Sequence, residues 1–277
     1  MATKPSTPRD APQEPLVESA LPRVTLRNSF AHAYDSAIAA ARTCYSPRII
    51  GPEEITEKQR VNIGAATFYG GHHTVYQHAH FEFGLESVSR QFVWSFLHAH
   101  PFYNSEQQSQ RYVRYKEERL DYVMPKTWEK AGMADVYDRL MSEITRVYES
   151  ALAKGIPAED ARFVLPNATP TNFQVMVNFT ELLHIADLRL CWRAQWEIRH
   201  MVALMRREVV KAVPEIGGSL QPKCGEKRLG YCDEPLSEWE KCPLGKVRPH
   251  KEALLQIFER YRAGNLVPLS EAHLREV

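Results

Sequence analysis

Three groups of side chains have the types and spacing to do chemistry. The first is the polar run Asn104-Ser105-Glu106-Gln107-Gln108-Ser109-Gln110-Arg111-Tyr112, set between two apolar segments. Its amides and hydroxyls both donate and accept hydrogen bonds, which suits the edges of a nucleobase or sugar, and Arg111 adds a planar fork suited to phosphate. The second is a set of arginines, Arg162, Arg189, Arg193 and Arg199. Arg189 and Arg193 lie four apart and share a face if the helix there is continuous. Converging with Arg111, these cations would hold a nucleotide phosphate. On composition alone, a solvated loop and surface ion pairs are the simpler reading of both groups. The third is a histidine cluster: His72, His73, His78, His80, His98 and His100, six of 11, fall within 29 residues around Gly70-Gly71. Neither HExxH nor a comparable two-histidine helical spacing with a carboxylate is present, and alternation puts His78 and His80 on a polar strand face. They are read as solvated or hydrogen-bonding, and no metal site is assigned to them.

The elements that must position these groups are read from periodicity. Helices are expected over 34–42 and 53–69, the second stopped by Gly70 and Gly71. Ala79, Phe81, Phe83 and Leu85 alternate with polar residues as a strand, and Val88, Phe92 and Phe96 then recur every four residues as a helix interrupted near Pro101. An extended segment follows over 112–123. A long amphipathic helix over 128–152 carries Val136, Leu140, Ile144 and Val147 as its apolar stripe and stops at Gly155. Phe173, Val175 and Val177 alternate as a second strand. Asn178, with Glu181 three residues on, has capping spacing for a helix towards Leu190, and another helix spans 194–213. Helices mixed with non-adjacent strands indicate an α+β fold.

Composition bounds the rest. The chain has 277 residues and a net charge of only +1, which argues against a general nucleic-acid or anionic-membrane binder. Its apolar runs are far shorter than the roughly 20 residues of a spanning helix. The N-terminus shows neither a secretory h-region nor a transit-peptide pattern, so a soluble, cytoplasmic protein is expected. Residues 1–23 hold five of the 18 prolines and read as a flexible tail, 24–214 as the main domain, and 215–277 as an appendage rich in Gly, Pro and Cys with one amphipathic helix over 252–261.

In order, the motifs Ala41-Arg42-Thr43-Cys44-Tyr45-Ser46, Gly71-His72-His73-Thr74 with His78, Ser105 to Tyr112, Ala161-Arg162-Phe163-Val164-Leu165-Pro166, and Asn178 through His184 to Arg189 followed by Ala194-Gln195-Trp196-Glu197-Ile198 resemble those of the flavin-dependent thymidylate synthases, the ThyX family. The resemblance covers roughly 24–214. It implies a ThyX-like α+β fold of mixed helices and antiparallel sheet, assembled as a homotetramer with FAD and dUMP at sites shared between subunits. Methylenetetrahydrofolate would donate a carbon and NADPH would reduce the flavin, giving dTMP by reductive methylation. Thr74, Asn178 and His184 match flavin-contacting positions, and Gln107, Ser109, Gln110, Arg111 and Arg162 match nucleotide-binding ones. Arg189 matches the arginine placed against the pyrimidine, where a fixed cation stabilises developing negative charge. One departure stands out. Where the family has Arg-His-Arg, this chain reads Leu97-His98-Ala99-His100-Pro101-Phe102-Tyr103 with about one residue extra, and Thr180 stands at a further arginine position. Either His98 and His100 take over flavin contacts in a divergent subgroup, or the scaffold serves another uridine nucleotide or reaction. A non-catalytic nucleotide-binding module is the third reading.

The five cysteines, Cys44, Cys191, Cys224, Cys232 and Cys242, are expected to be reduced thiols. Cys224, Cys232 and Cys242 with His250 have the ligand identities of a structural zinc site, but their separations of eight, ten and eight residues lack tight Cys-x-x-Cys knuckles.

Overall fold

A computed structural model describes residues 22–30, 32–99, 104–113, 122–245 and 247–263. At its centre is an antiparallel sheet of four strands, β1 (Arg23–Ser29), β2 (His80–Ser89), β3 (Asn104–Gln107) and β4 (Pro170–Asn178), in the spatial order β1-β2-β4-β3. The helices are α1 (Ala33–Thr43), α2 (Glu57–Tyr69), α3 (Arg90–Ala99), α4 (Lys126–Lys130), α5 (Ala134–Ala153), α6 (Ala158–Ala161), α7 (Phe179–Arg189), α8 (Trp196–Ala212), α9 (Pro214–Gly217), α10 (Leu236–Trp239) and α11 (Lys251–Arg262). The α+β class is therefore as expected. Residues 1–21, most of the proposed tail, and His100 lie outside the described residues; β1 already begins at Arg23.

Cross-strand register shows why one sheet face is dry. Phe81 pairs with Val177, Phe83 with Val175 and Leu85 with Phe173, so all six point to one side, where Phe92, Phe96, Leu182, Ile185, Ile198, Met201 and Met205 of α3, α7 and α8 bury them. The opposite face is polar: Gln174 accepts from Arg27 and donates to Glu82 across three strands. A cleft of about 540 Å³ runs over that face between Thr25, Arg27, Glu106 and Gln174. α1 packs against α2, drawn tight at Gly64, where a Cβ would come within 1.8 Å of the Tyr34 hydroxyl. Arg60 of α2 bridges Asp35 of α1 and Glu215 of α9.

The structure corrects four sequence expectations. Two strands were not anticipated: β1, and β3 within the polar run read as a loop. Backbone pairing with β4 holds β3 at an edge, so its side chains need not be apolar. The expected helix over 128–152 is broken at Gly132, whose φ of +69° is left-handed, leaving α4 and α5. On α5 the buried stripe is Tyr137, Met141, Thr145 and Tyr148, while Val136, Leu140 and Val147 face outwards and only Ile144 is partly covered. The amphipathic aromatics win the inner face because their polar ends find partners there: the Tyr137 hydroxyl donates to the Val123 carbonyl at 2.8 Å, and Thr145 meets the Tyr122 hydroxyl at 3.1 Å. Finally, Arg189 and Arg193 share no helix face, because α7 ends at Arg189 and residues 190–195 are non-helical.

Candidate active site

Asn178 ends β4 and caps α7, its Oδ1 accepting from the Glu181 N–H at 2.9 Å. The capping spacing read from the sequence is thus realised. The 3-10 helix His73–His78 lies against this corner, where the Thr180 hydroxyl donates to the His73 carbonyl at 3.1 Å. Thr180, where the family has an arginine, therefore ties the turn carrying Thr74 to α7. Thr74 is exposed on that turn, and His184 is exposed one helical turn beyond Glu181. The Glu181 carboxyl is pushed up by burial and drawn back by His184, and its Oε1 is buried with no partner among the described residues. Thr74, Asn178 and His184, the positions assigned to flavin by resemblance, are thus gathered on one corner. His78 completes the 3-10 helix instead of joining β2, and His80 pairs with Asn178 across the sheet. His98 lies in the last turn of α3. Among the described residues no three His, Cys, Asp or Glu side chains stand at coordination distance.

The residues matched by resemblance to nucleotide-binding positions lie towards the other end of β4. Gln107 closes β3 opposite Phe173; its Nε2 is buried without a partner among the described residues, a donor desolvated at a cost that a ligand acceptor would offset. Ser109 accepts from the Arg111 N–H at 3.2 Å, and Gln110 is buried. Arg111 pairs through Nε with the Glu159 carboxylate at 2.8 Å, and the Arg162 Nε donates to the Glu159 carbonyl at 3.0 Å. One residue of α6 thus orients two guanidinium groups, each with N–H donors remaining. The cleft over the open sheet face touches this set only at Gln107.

Arg189 sits on the last turn of α7, half-buried, with an Nη2 contact of 3.5 Å to the Ser95 carbonyl of α3. Burial lowers its pKa, but a guanidinium stays charged from so high an ordinary value. Ser95 precedes Phe96, whose ring packs at 5.8 Å on Phe173, the strand partner of Gln107. Arg189 is thus tied to α3, the helix whose Phe96 packs on the strand partner of Gln107. Arg193 and Arg199 do not converge with it: Arg193 is paired with Glu234, and Arg199 lies 5.2 Å over the Trp192 ring and donates to the Trp192 carbonyl at 2.6 Å.

The Ala194–Ile198 motif has a structural role. Gln195 caps α8, accepting from the N–H groups of Glu197 and Ile198 at 2.9 and 3.1 Å. Glu197 is buried and receives the Ser89 N–H at 2.8 Å and its hydroxyl at 2.5 Å, while Ser89 Oγ accepts from the Phe92 N–H. This carboxylate locks the β2–α3 junction to α8; burial pushes its pKa up. Nothing in the spacing marked Glu197 or the Glu159 carboxylate as organisers, since Ser89 and Arg111 lie 108 and 48 residues away.

A sequence model of the family described as "Thymidylate synthase complementing protein" matches residues 25–215. This chain belongs to that family. Among its relatives are proteins named flavin-dependent thymidylate synthase from Geobacter sulfurreducens, 37% identical over 206 residues covering 72% of this chain and 86% of the relative, and from Nitratidesulfovibrio vulgaris, 34% identical over 230 residues covering 77% and 91%. The fold is shared with a UMP/dUMP methylase, PolB from Streptomyces cacaoi, bound with 5-Br dUMP, at a TM-score of 0.60 and 20% identity over 72% of this chain and 93% of that one. The thymidylate synthase complementing family match thus ends within α9 and includes both residue sets and Arg189.

Proposed function

We propose that this chain is a flavin-dependent thymidylate synthase that methylates dUMP reductively to dTMP. The observation that carries the reading is the similarity to synthases of that name across more than two thirds of this chain. The residues present fit the ligands. Gln107 Nε2 is a buried donor at the nucleotide end, and Glu181 Oε1 is a buried acceptor at the corner proposed for FAD, each lacking a protein partner among the described residues.

Bound FAD would supply hydride, with NADPH as reductant and methylenetetrahydrofolate as carbon donor. The protein's own work is positioning and electrostatics. Arg111 and Arg162, held by Glu159, would take the phosphate; Gln107, Ser109 and Gln110 would meet the sugar and base. Arg189 would stabilise negative charge developing on the pyrimidine ring. Thr74, Asn178 and His184, with His98 and His100 in place of the missing arginine triplet, would hold the flavin.

The two sets lie at opposite ends of β4, about 17 Å apart over the five residues separating Phe173 from Asn178. That separation supports a homotetramer in which one chain's nucleotide set meets another's flavin corner.

The replacement of Arg-His-Arg favours a second reading, turnover of another uridine nucleotide such as UMP. The test is a visible spectrum of the purified protein, with FAD added if it is colourless, titrated with dUMP, followed by product analysis with dUMP and with UMP. A flavin band shifted by dUMP and formation of dTMP are expected. Methylation of UMP alone would move the assignment to the second reading, and absence of flavin uptake would leave a nucleotide-binding module.

A further inference from the structure

Residues 221–245 and 247–250 bury only Gly225, Cys232, Gly245 and His250, so apart from the His250 ring no aliphatic or aromatic side chain is fully buried in this segment. Hydrogen bonds and ion pairs fold it back onto the end of α7. The Lys223 N–H donates to the Asp187 carbonyl at 3.1 Å, and Arg228 grips the Asp187 carboxylate at 2.6 and 2.5 Å. Arg193 pairs with Glu234. Cys232 is held between Pro249 and Lys251, donating to one and accepting from the other at 2.8 Å. These bonds carry Cys224 and Cys232 towards Cys191, two residues beyond α7.

We propose that Cys191, Cys224, Cys232 and Cys242 bind one structural zinc ion as four thiolates, fastening the C-terminal segment to the end of α7. Every one of the six pairs among these four thiols lies within electrostatic reach. All four are free thiols; Cys232 is buried and the other three half-buried, whereas Cys44 is exposed. Four thiolates brought this close would require a counter-cation. Zinc would supply it, releasing four protons and leaving a dianionic centre, with Arg248 acting on Cys224 from nearby.

The sequence-level ligand set is thereby changed by one member. His250 is committed elsewhere, its Nε2 2.7 Å from the Glu234 carbonyl and its Nδ1 accepting from the Glu252 N–H at 3.3 Å. Cys191 takes its place. The sulfurs are not drawn to coordination distance as they stand, so rotation about the cysteine χ1 bonds must close the tetrahedron at a Zn–S distance of about 2.3 Å. This site is independent of the nucleotide and flavin assignments.

The test is elemental analysis of the full chain purified without chelators, followed by Co²⁺ titration of metal-depleted protein. About one zinc per chain is expected, as are strong thiolate-to-cobalt absorption bands. Cys191→Ser and Cys224→Ser should lose most of the metal, while His250→Gln and Cys44→Ser retain it. The cobalt spectrum of the unsubstituted chain keeps the proposal testable if a variant fails to fold. No zinc with no cobalt–thiolate bands would overturn it. So would full zinc in Cys191→Ser, iron with sulfide in place of zinc, or disulfides among these cysteines in metal-free protein.

Discussion

Arg189 illustrates how a single charge is made useful. It sits half-buried on the last turn of α7, against the α3 carbonyl of Ser95, so its guanidinium is positioned before any ligand arrives. Replacing it with lysine keeps the charge but removes the planar fork. Arg189→Lys is expected to lower kcat for dTMP formation about 100-fold, the scale of removing one preorganised donor to developing charge, while flavin absorbance is retained. A rate within a factor of about three of the parent would remove Arg189 from the ring. Glu197 makes the complementary case for structure. Because burial raises its carboxyl pKa, the folded chain keeps that proton to higher pH than the unfolded chain does. The stability contributed is full below the unfolded value of about 4.3 and is lost as pH rises through the raised folded value. Glu197→Gln can still accept the Ser89 N–H and donate to Ser89 Oγ, so denaturant unfolding should show a flatter pH dependence above the ordinary carboxylate range. Glu197→Ala leaves the buried Ser89 N–H without its acceptor and should cost about 1–3 kcal/mol. An unchanged pH slope in the glutamine variant would show that Glu197 is not the titrating group.

At the scale of elements, local signals were legible where the chain satisfies itself locally. Asn178 with Glu181 marked the start of α7, the alternation Phe81-Phe83-Leu85 marked β2, and Phe173-Val175-Val177 marked β4, because each depends on neighbours within a few residues. β3 was not legible: Asn104–Gln107 is a strand only because β4, about 70 residues on, offers its edge. The break before α5 was legible in residue type but was not recognised, since a glycine inside an amphipathic run is tolerated in many helices. Here it is required, because Gly132 is left-handed and the Met133 N–H turns back to the Trp128 carbonyl at 2.9 Å. No atom lies within 4 Å of where a Cβ would stand, so only backbone strain opposes a side chain. Gly132→Ala should therefore destabilise by about 1–2 kcal/mol without loss of ligand binding. A neutral or stabilising result in thermal unfolding would mean that α4 and α5 fuse at little cost.

The whole molecule carries two features that one chain leaves unused. One is the separation of the nucleotide set from the flavin corner along β4. The other is α5, which buries Tyr137, Met141, Thr145 and Tyr148 within the chain yet presents Val136, Leu140 and Val147 outwards, with Leu140 53% exposed. Periodicity could identify that outer stripe as apolar but not which of two apolar stripes the described residues would cover. A helix apolar on both sides belongs in an interior, and a second copy of this chain is the proposed occupant, one that would also bring the two residue sets together. Leu140→Glu places a charge in that stripe at a position exposed in the single chain. Its expected effect is dissociation of the proposed tetramer, seen as a lower mass by light scattering, with the helical circular dichroism signal of the parent. Flavin retention and dTMP formation should fall together with the mass, since in the proposed assembly each site takes residues from two chains. If the variant stays tetrameric and active, α5 is not the assembly face. If it is monomeric yet binds FAD and turns over dUMP, the sets are completed within one chain and the separation along β4 is closed by the chain's own movement.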